Sequence, residues 1–298
     1  MNEPSDPHEP AALDLPVEGG TLRVLRFGRG PRTALAAHGI TGSGMSFRAM
    51  ARRLPDEWSL FAPDLRGRGG SATTPGPYGL DRHARDLCRL ARDLGGGRPV
   101  ALTGHSMGAY VALLAAVRRP GLFDRLLLVD GGLPLPVPPG ADPDAVLDAT
   151  LGPALARLGR TYATDTDYVD FFRAHPALGP HWNADIEAYV RYDVAGPRGA
   201  RRSKVREDAV RHDGRDLLTS DALFAARLTE LSVPALLLHA PLGLLGQEPP
   251  MLPPSVVERL TGGPDGLPAE LIEGSNHYTI LLGTAAETLA ERFVTLGG

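Results

Sequence analysis

Five residues, Gly104-His105-Ser106-Met107-Gly108, stand between an apolar run of strand length at 100–103 and a helix-patterned run at 110–117. A serine with glycine two places before it and two places after, where a strand turns sharply into a helix, sits in strained backbone. The two glycines are needed because a Cβ at either position would strike the neighbouring chain. The hydroxyl then stands clear of the sheet, and the helix N-terminus behind it favours developing negative charge. The pentapeptide therefore calls for a strand-turn-helix unit with a nucleophile at its corner.

The rest of the first half supplies the sheet that such a unit needs. Apolar runs at 21–27, 33–37, 58–62, 100–103 and 125–129 are each followed within two residues by Gly or Asp, and helix-length segments lie between them. In the clearest segment, 80–94, Leu80, Ala84, Leu87, Cys88, Ala91 and Leu94 share one face at helical spacing. Strands alternating with helices predict an α/β fold with parallel pairing and both faces covered. Two further strand-like runs, 235–239 and 269–273, and a terminal helix at 285–294 complete the pattern. Between Asp130 and Pro234 the rhythm breaks. That interval opens with a proline-rich ramp at 134–139, holds Tyr162, Tyr168, Phe171, Phe172, Trp182, Tyr189 and Tyr192, and carries a basic patch at 198–206. It reads as a helical insertion whose aromatics build a small core, line a ligand cavity, or do both.

Composition excludes several classes of function. With 31 basic against 35 acidic residues and a net charge of -4, the 298-residue chain has no basic field to hold a nucleic acid. A single cysteine, Cys88, forms no intramolecular disulfide and seeds no thiolate zinc site, which points to a reducing compartment. None of the nine histidines falls in a metal-ligand pattern, so neither a metal nor another cofactor is expected. The N-terminus is acidic and proline-rich, and no uninterrupted apolar run is long enough to span a bilayer. A cytoplasmic protein without membrane association is the expectation. Residues 1–19 are expected to be a flexible tail, 20–133 with 231–298 the core, and 134–230 the insertion.

A nucleophilic serine needs donors for an oxyanion, and the backbone N–H of Met107 is the first. The glycine-rich run His38-Gly39-Ile40-Thr41-Gly42-Ser43-Gly44 follows the strand at 33–37 and would turn further N–H groups toward the same place. The His38-Gly39 step, the segment Pro63-Asp64-Leu65-Arg66-Gly67-Arg68-Gly69-Gly70-Ser71 and the elbow at 104–108 together resemble the α/β-hydrolase fold family. The resemblance covers residues from about 20 to 297. It implies a mostly parallel central sheet flanked by helices, with the insertion as a lid. It further implies that Ile40 supplies the second oxyanion N–H, that Asp64 and Arg66 serve mainly structure, and that the base is the last element of the site in chain order. His277, in the small-residue loop after the last strand, matches that place. The family's commonest acid position fails, because 240–247 holds no carboxylate and the first acid met is Glu248. The family's alternative position, at the end of the preceding strand, holds Asp130 before Gly131-Gly132. Asp130 is thus the leading acid and Glu248 the alternative; an apolar run ending at Asp-Gly-Gly is also an ordinary way to leave a sheet.

The resemblance implies a serine hydrolase that cleaves a carboxylic ester, lactone or thioester through an acyl-enzyme on Ser106. Serine at the elbow argues against the relatives that carry Asp there. The expected partner is a small acyl substrate with an apolar or aromatic part, and the patch at 198–206 would suit an acidic carrier protein bearing it. The other reading kept open is a non-hydrolytic user of the fold, a cyclase or lyase of a natural-product pathway or a ligand-binding receptor. The missing acid at the usual position keeps it alive.

Overall fold

The computed structural model describes residues 9–135, 137–138, 140–220, 224, 227–262 and 266–297. In chain order the first half runs β1 (Ala11–Val17), β2 (Gly20–Phe27), β3 (Arg32–Ala37), α1 (Arg48–Ala51), β4 (Trp58–Pro63), α2 (Leu80–Leu94), β5 (Val100–His105), α3 (Met107–Arg118) and β6 (Phe123–Val129). The next stretch holds α4 (Pro143–Leu158), α5 (Asp165–Arg173), α6 (Ala184–Asp193), a short hairpin of β7 (Val194–Ala195) and β8 (Arg202–Ser203), and α7 (Glu207–Thr219). The chain closes with β9 (Ala235–His239), α8 (Pro254–Thr261), β10 (Ala269–Leu271), α9 (Thr279–Leu282) and α10 (Ala286–Thr295).

Eight of these strands form one sheet in the order β1-β2-β4-β3-β5-β6-β9-β10. The pairs β1/β2 and β2/β4 are antiparallel, and every later neighbour pair is parallel. Side chains alternate across the pleat, and the core divides accordingly. Leu35, Ala37, Leu102, Leu126 and Leu128 pack with α2 and α3 on one face. Ala34, Ala36, Ala101, Leu127 and Val129 pack with α1, α9 and α10 on the other. Strands buried on both faces read as continuous apolar runs, which is why they were visible in the sequence. The chain leaves β3 for β4 on one side and finds β5 on the other, so the order reverses between β3 and β5. The crevice beyond their C-terminal ends is where open α/β sheets bind ligands.

One expectation fails. The tail expected at 1–19 includes β1, whose residues from Ala11 to Val17 pair in unbroken register with β2. Leu13, Leu15 and Val17 alternate with Asp14 and Pro16 and reach the core with every second side chain. Pro16 is tolerated because β1 is the sheet's edge. Residues 1–8 of the expected tail, and Pro136 and Pro139 of the proline-rich ramp, lie outside the described residues. The interval after β6 is helical as expected, and among the described residues no helix is long and apolar enough to cross a membrane.

Candidate active site

The C-terminal ends of β3, β5 and β6 bring the sequence-selected residues together. Ser106 occupies φ 54° and ψ -126°, the positive-φ backbone that the glycine spacing called for. A Cβ on Gly104 would lie 2.1 Å from the Gly108 carbonyl oxygen, and one on Gly108 would lie 1.9 Å from that of Ala37. Both are backbone collisions, so nothing larger than glycine fits either place. The Ser106 N–H donates to the Val129 carbonyl at 2.9 Å and its own carbonyl accepts from Ala109 at 2.9 Å. The corner is thereby clamped between β6 and α3.

Asp130, directly after β6, also has a positive φ, at 44°. Its N–H donates to the Leu238 carbonyl at 2.8 Å, while Oδ1 accepts from the Ala240 N–H at 3.1 Å. The other oxygen, Oδ2, faces His277 Nδ1 at 2.6 Å. Both residues are buried. With Nδ1 facing the carboxylate, Nε2 is the ring nitrogen left without a protein partner among the described residues. His277 is held from three sides. Its N–H donates to the Leu242 carbonyl at 3.0 Å, and its own carbonyl accepts from His105 Nε2 at 2.7 Å, with the two rings 4.8 Å apart. The preceding Asn276 accepts from the N–H groups of Tyr278 and Thr279 and donates to the Ala177 carbonyl of the insertion. Glu248, the alternative acid, is exposed at the cavity lining, and Asp130 takes the imidazole.

The Ile40 N–H, which the resemblance assigns to an oxyanion, belongs to the Gly39–Ile40 peptide. Its carbonyl, on Gly39, accepts from His38 Nδ1 at 2.7 Å and from the Gly42 N–H at 2.9 Å, which fixes the plane in which the Ile40 N–H points. His38 Nε2 in turn accepts the Leu65 N–H at 2.9 Å. With one ring nitrogen donating and the other accepting, His38 is neutral, and burial pushes its pKa down to about 3. Burial, aided by the neighbouring His277, does the same to His105. Arg68 Nε donates to the Ile40 carbonyl at 3.0 Å, and its Nη1 meets Asp213 of α7 at 2.5 Å. Sequence reasoning missed these supporting roles of His38, Arg68, Asp213 and Asn276. The place of His38 beside Gly39 was the one signal available, because the others act across distant segments.

Asp64 and Arg66 have structural partners. Asp64 accepts from the N–H groups of Gly44 and Gly70 and from the Tyr192 hydroxyl at 2.6 Å, tying the insertion to the core. Arg66 forms a two-pronged pair with Asp86, both buried. In the basic patch, Arg201 pairs with Asp165 and Arg206 with Asp208.

Ser106, His277, Ile40 and Met107 all line one cavity of about 440 Å3. Its walls are mostly aliphatic, drawn from α4, α7 and the loop after β9, and Glu248 is its one Asp, Glu, Lys or Arg among the described residues. No cluster of metal-binding side chains occurs among the described residues.

The sequence pattern of the alpha/beta hydrolase family matches residues 34–292. The chain belongs to that family. Among curated members, lipase LipV of Mycobacterium tuberculosis is 37% identical over 131 residues, 44% of this chain and 48% of that protein. The match thus spans about half the relative's length. The crystal structure of E-2-(acetamidomethylene)succinate hydrolase has the same fold, with a TM-score of 0.76 and 22% identity over 96% of this chain and 99% of that one. The thioesterase domain from the curacin biosynthetic pathway follows at 0.71 and 21%, again over 96% and 99%. Both establish the alpha/beta hydrolase architecture, a mostly parallel sheet flanked by helices.

Proposed function

We propose that this chain is a serine hydrolase that cleaves a carboxylic ester, lactone or thioester through an acyl-enzyme on Ser106. The observation that carries the reading is the buried 2.6 Å bond between Asp130 Oδ2 and His277 Nδ1, made beside a cavity that Ser106 also lines. In this reading His277 Nε2 removes the Ser106 proton as Oγ attacks the carbonyl carbon. The oxyanion accepts from the N–H groups of Ile40 and Met107. The tetrahedral species then collapses, the leaving alcohol or thiol taking the proton from His277, and a water activated by the same nitrogen releases the acid. Asp130 keeps the productive tautomer and stabilises the imidazolium without itself taking the proton.

Residues 134–230 act as a lid that shields this chemistry from water and supplies the aliphatic wall, which favours an apolar or aromatic acyl part. The paired arginines at 201 and 206 leave delivery by a carrier protein with the weaker support. No cofactor takes part. The buried Cys88 thiol, its pKa pushed up to about 11 by burial, is an inert packing group suited to a cytoplasmic protein. The bond from Asp130 to His277 supports hydrolysis over the non-hydrolytic reading, whose ground in the sequence was the missing acid at the usual position. A fluorophosphonate should label Ser106 alone, and an activated ester should give a burst equal to the enzyme concentration. Tight ligand binding without label or burst would overturn the proposal.

A further inference from the structure

A smaller chamber of about 60 Å3 opens beside the main cavity, and Thr41, Tyr189 and Tyr278 line both. Thr41 follows Ile40 and Tyr278 follows His277, so the chamber branches off at the reactive end. Arg157, Phe171, Phe172 and His175 line the chamber alone. Arg157, on the last turn of α4, is 4% exposed. Its Nη1 donates to the Tyr168 hydroxyl at 2.5 Å and to Asp193 Oδ2 at 2.8 Å, and the guanidinium lies 5.0 Å from the Phe172 ring centre. Only Nη1 of the guanidinium has a hydrogen-bond partner among the described residues, and Arg157 lines the chamber. The hydroxyls of Tyr189 and Tyr278 have no hydrogen-bond partner among the described residues. His175 accepts the Ala177 N–H on Nδ1 at 3.2 Å, which leaves Nε2–H as a further donor, and burial together with Arg157 keeps the ring's pKa below its ordinary value. Among the described residues no carboxylate side chain lines the chamber. It offers donors and lacks an obligate acceptor.

Charge decides which acceptor belongs there. The positive charge of Arg157 is already balanced by Asp193, and Glu248 is the only Asp, Glu, Lys or Arg among the described residues that line the main cavity. A carboxylate would meet the like charge of Glu248 on the main cavity and would leave a net negative charge beside apolar walls, where desolvation is costly. A neutral carbonyl oxygen satisfies the same donors without that cost. We infer that the chamber is a subsite for a neutral carbonyl oxygen, so that the substrate is an oxo-substituted acyl ester or thioester rather than a plain alkyl or carboxylate-bearing one. This rests on the hydrolase reading and specifies its substrate class.

The test is a set of activated esters of one chain length, with a keto group walked along the acyl chain, beside the all-methylene ester and the carboxylate-terminated one. At its best position the keto ester should exceed the methylene ester in kcat/KM by on the order of tenfold to a hundredfold, with the carboxylate ester poorest. Equal or better turnover of the methylene ester against every keto isomer, or preference for the carboxylate, would overturn the inference. In Arg157→Lys, which keeps a charge for Asp193 but loses the planar fork, the keto-to-methylene ratio should fall toward one. A folded variant with an unchanged ratio also overturns it. If no ester turns over and Ser106 takes no label, the hydrolase reading fails separately. Calorimetry with a keto alcohol and its plain alcohol then reads the chamber alone, and equal affinities would sink it.

Discussion

Ser106 and Asp130 are the two non-glycine residues with positive φ among the described residues, and the fold places both at the ends of adjacent parallel strands. Such conformations cost of order 1–3 kcal/mol and persist where the surroundings over-determine them. Here the surroundings are visible: β6 and α3 clamp the serine, β9 accepts the Asp130 N–H, and Ala240, just past β9, donates to its Oδ1. Removing the hydroxyl in Ser106→Ala should leave the unfolding midpoint within a degree or two and lower kcat by on the order of 10⁵ to 10⁶, read with an activated ester. Turnover at the wild-type rate would end the hydrolase reading. Asp130→Asn puts a donor against Nδ1 and selects the wrong tautomer, so kcat should fall by on the order of 10³ to 10⁴. Glu248→Gln, which touches only the cavity lining, should change kcat by no more than a few-fold. A reversed ranking of those two would reassign the acid. At this scale the sequence was informative because the serine and its glycines are local: their spacing states a backbone conformation. Asp130 was legible only as one of two carboxylates, since its partner lies 147 residues away.

Helix α7 lines the cavity with Gly214, Leu217 and Leu218 and is fastened to the Ile40 loop through Asp213, whose partner Arg68 donates to the Ile40 carbonyl. That carboxylate accepts from Arg68, from His83 of α2 at 2.9 Å, and from the Gly79 N–H at 2.6 Å, all three side chains being fully buried. Burial alone would raise its pKa, but Arg68 and His83 together hold it well below the usual carboxylate range. The depressed value means that the folded state favours the ionised form. The stabilisation is complete above the unfolded pKa near 4 and is lost as pH falls below it. Asp213→Asn strands the Arg68 charge, which should cost about 3–5 kcal/mol in urea unfolding at neutral pH. A loss below about 1 kcal/mol would show that the network is not the fastening between insertion and core. Elements of this kind are where the sequence fell silent. Arg68 and Asp213 lie 145 positions apart, and only the tertiary fold pairs them. The edge strand β1 was missed for a different reason: its alternation is clear in Leu13, Leu15 and Val17, but Pro16 and the proline-rich residues before it masked the period.

Taken as a whole, the molecule keeps two histidines neutral at the crossing of its sheet and its site. His38 and His105 follow or end adjacent parallel strands, and in each, burial lowers the pKa from 6.5 to about 3. In the unfolded chain both rings take up protons below about pH 6.5, while in the native state neither does so until far lower pH. The unfolded state therefore binds more protons throughout that window, and stability falls as pH falls. Each ring contributes about 1.4 kcal/mol per pH unit, so two remove on the order of 5 kcal/mol between about pH 6.5 and 4.5. That is comparable to the whole stability of an ordinary domain, about 5–15 kcal/mol. Most carboxylates titrate below this window, so the histidines dominate it. Urea unfolding at a series of pH values should give a slope of at least two protons, since burial lowers His175 and His239 as well, and the chain should unfold in mild acid before its carboxylates are protonated. A slope close to zero between about pH 5 and 6 would mean that the two rings are charged, or free to become so, in the native state. A proton on His38 Nε2 would also meet the Leu65 N–H and break the hydrogen bond that ties the His38 loop to the segment after β4.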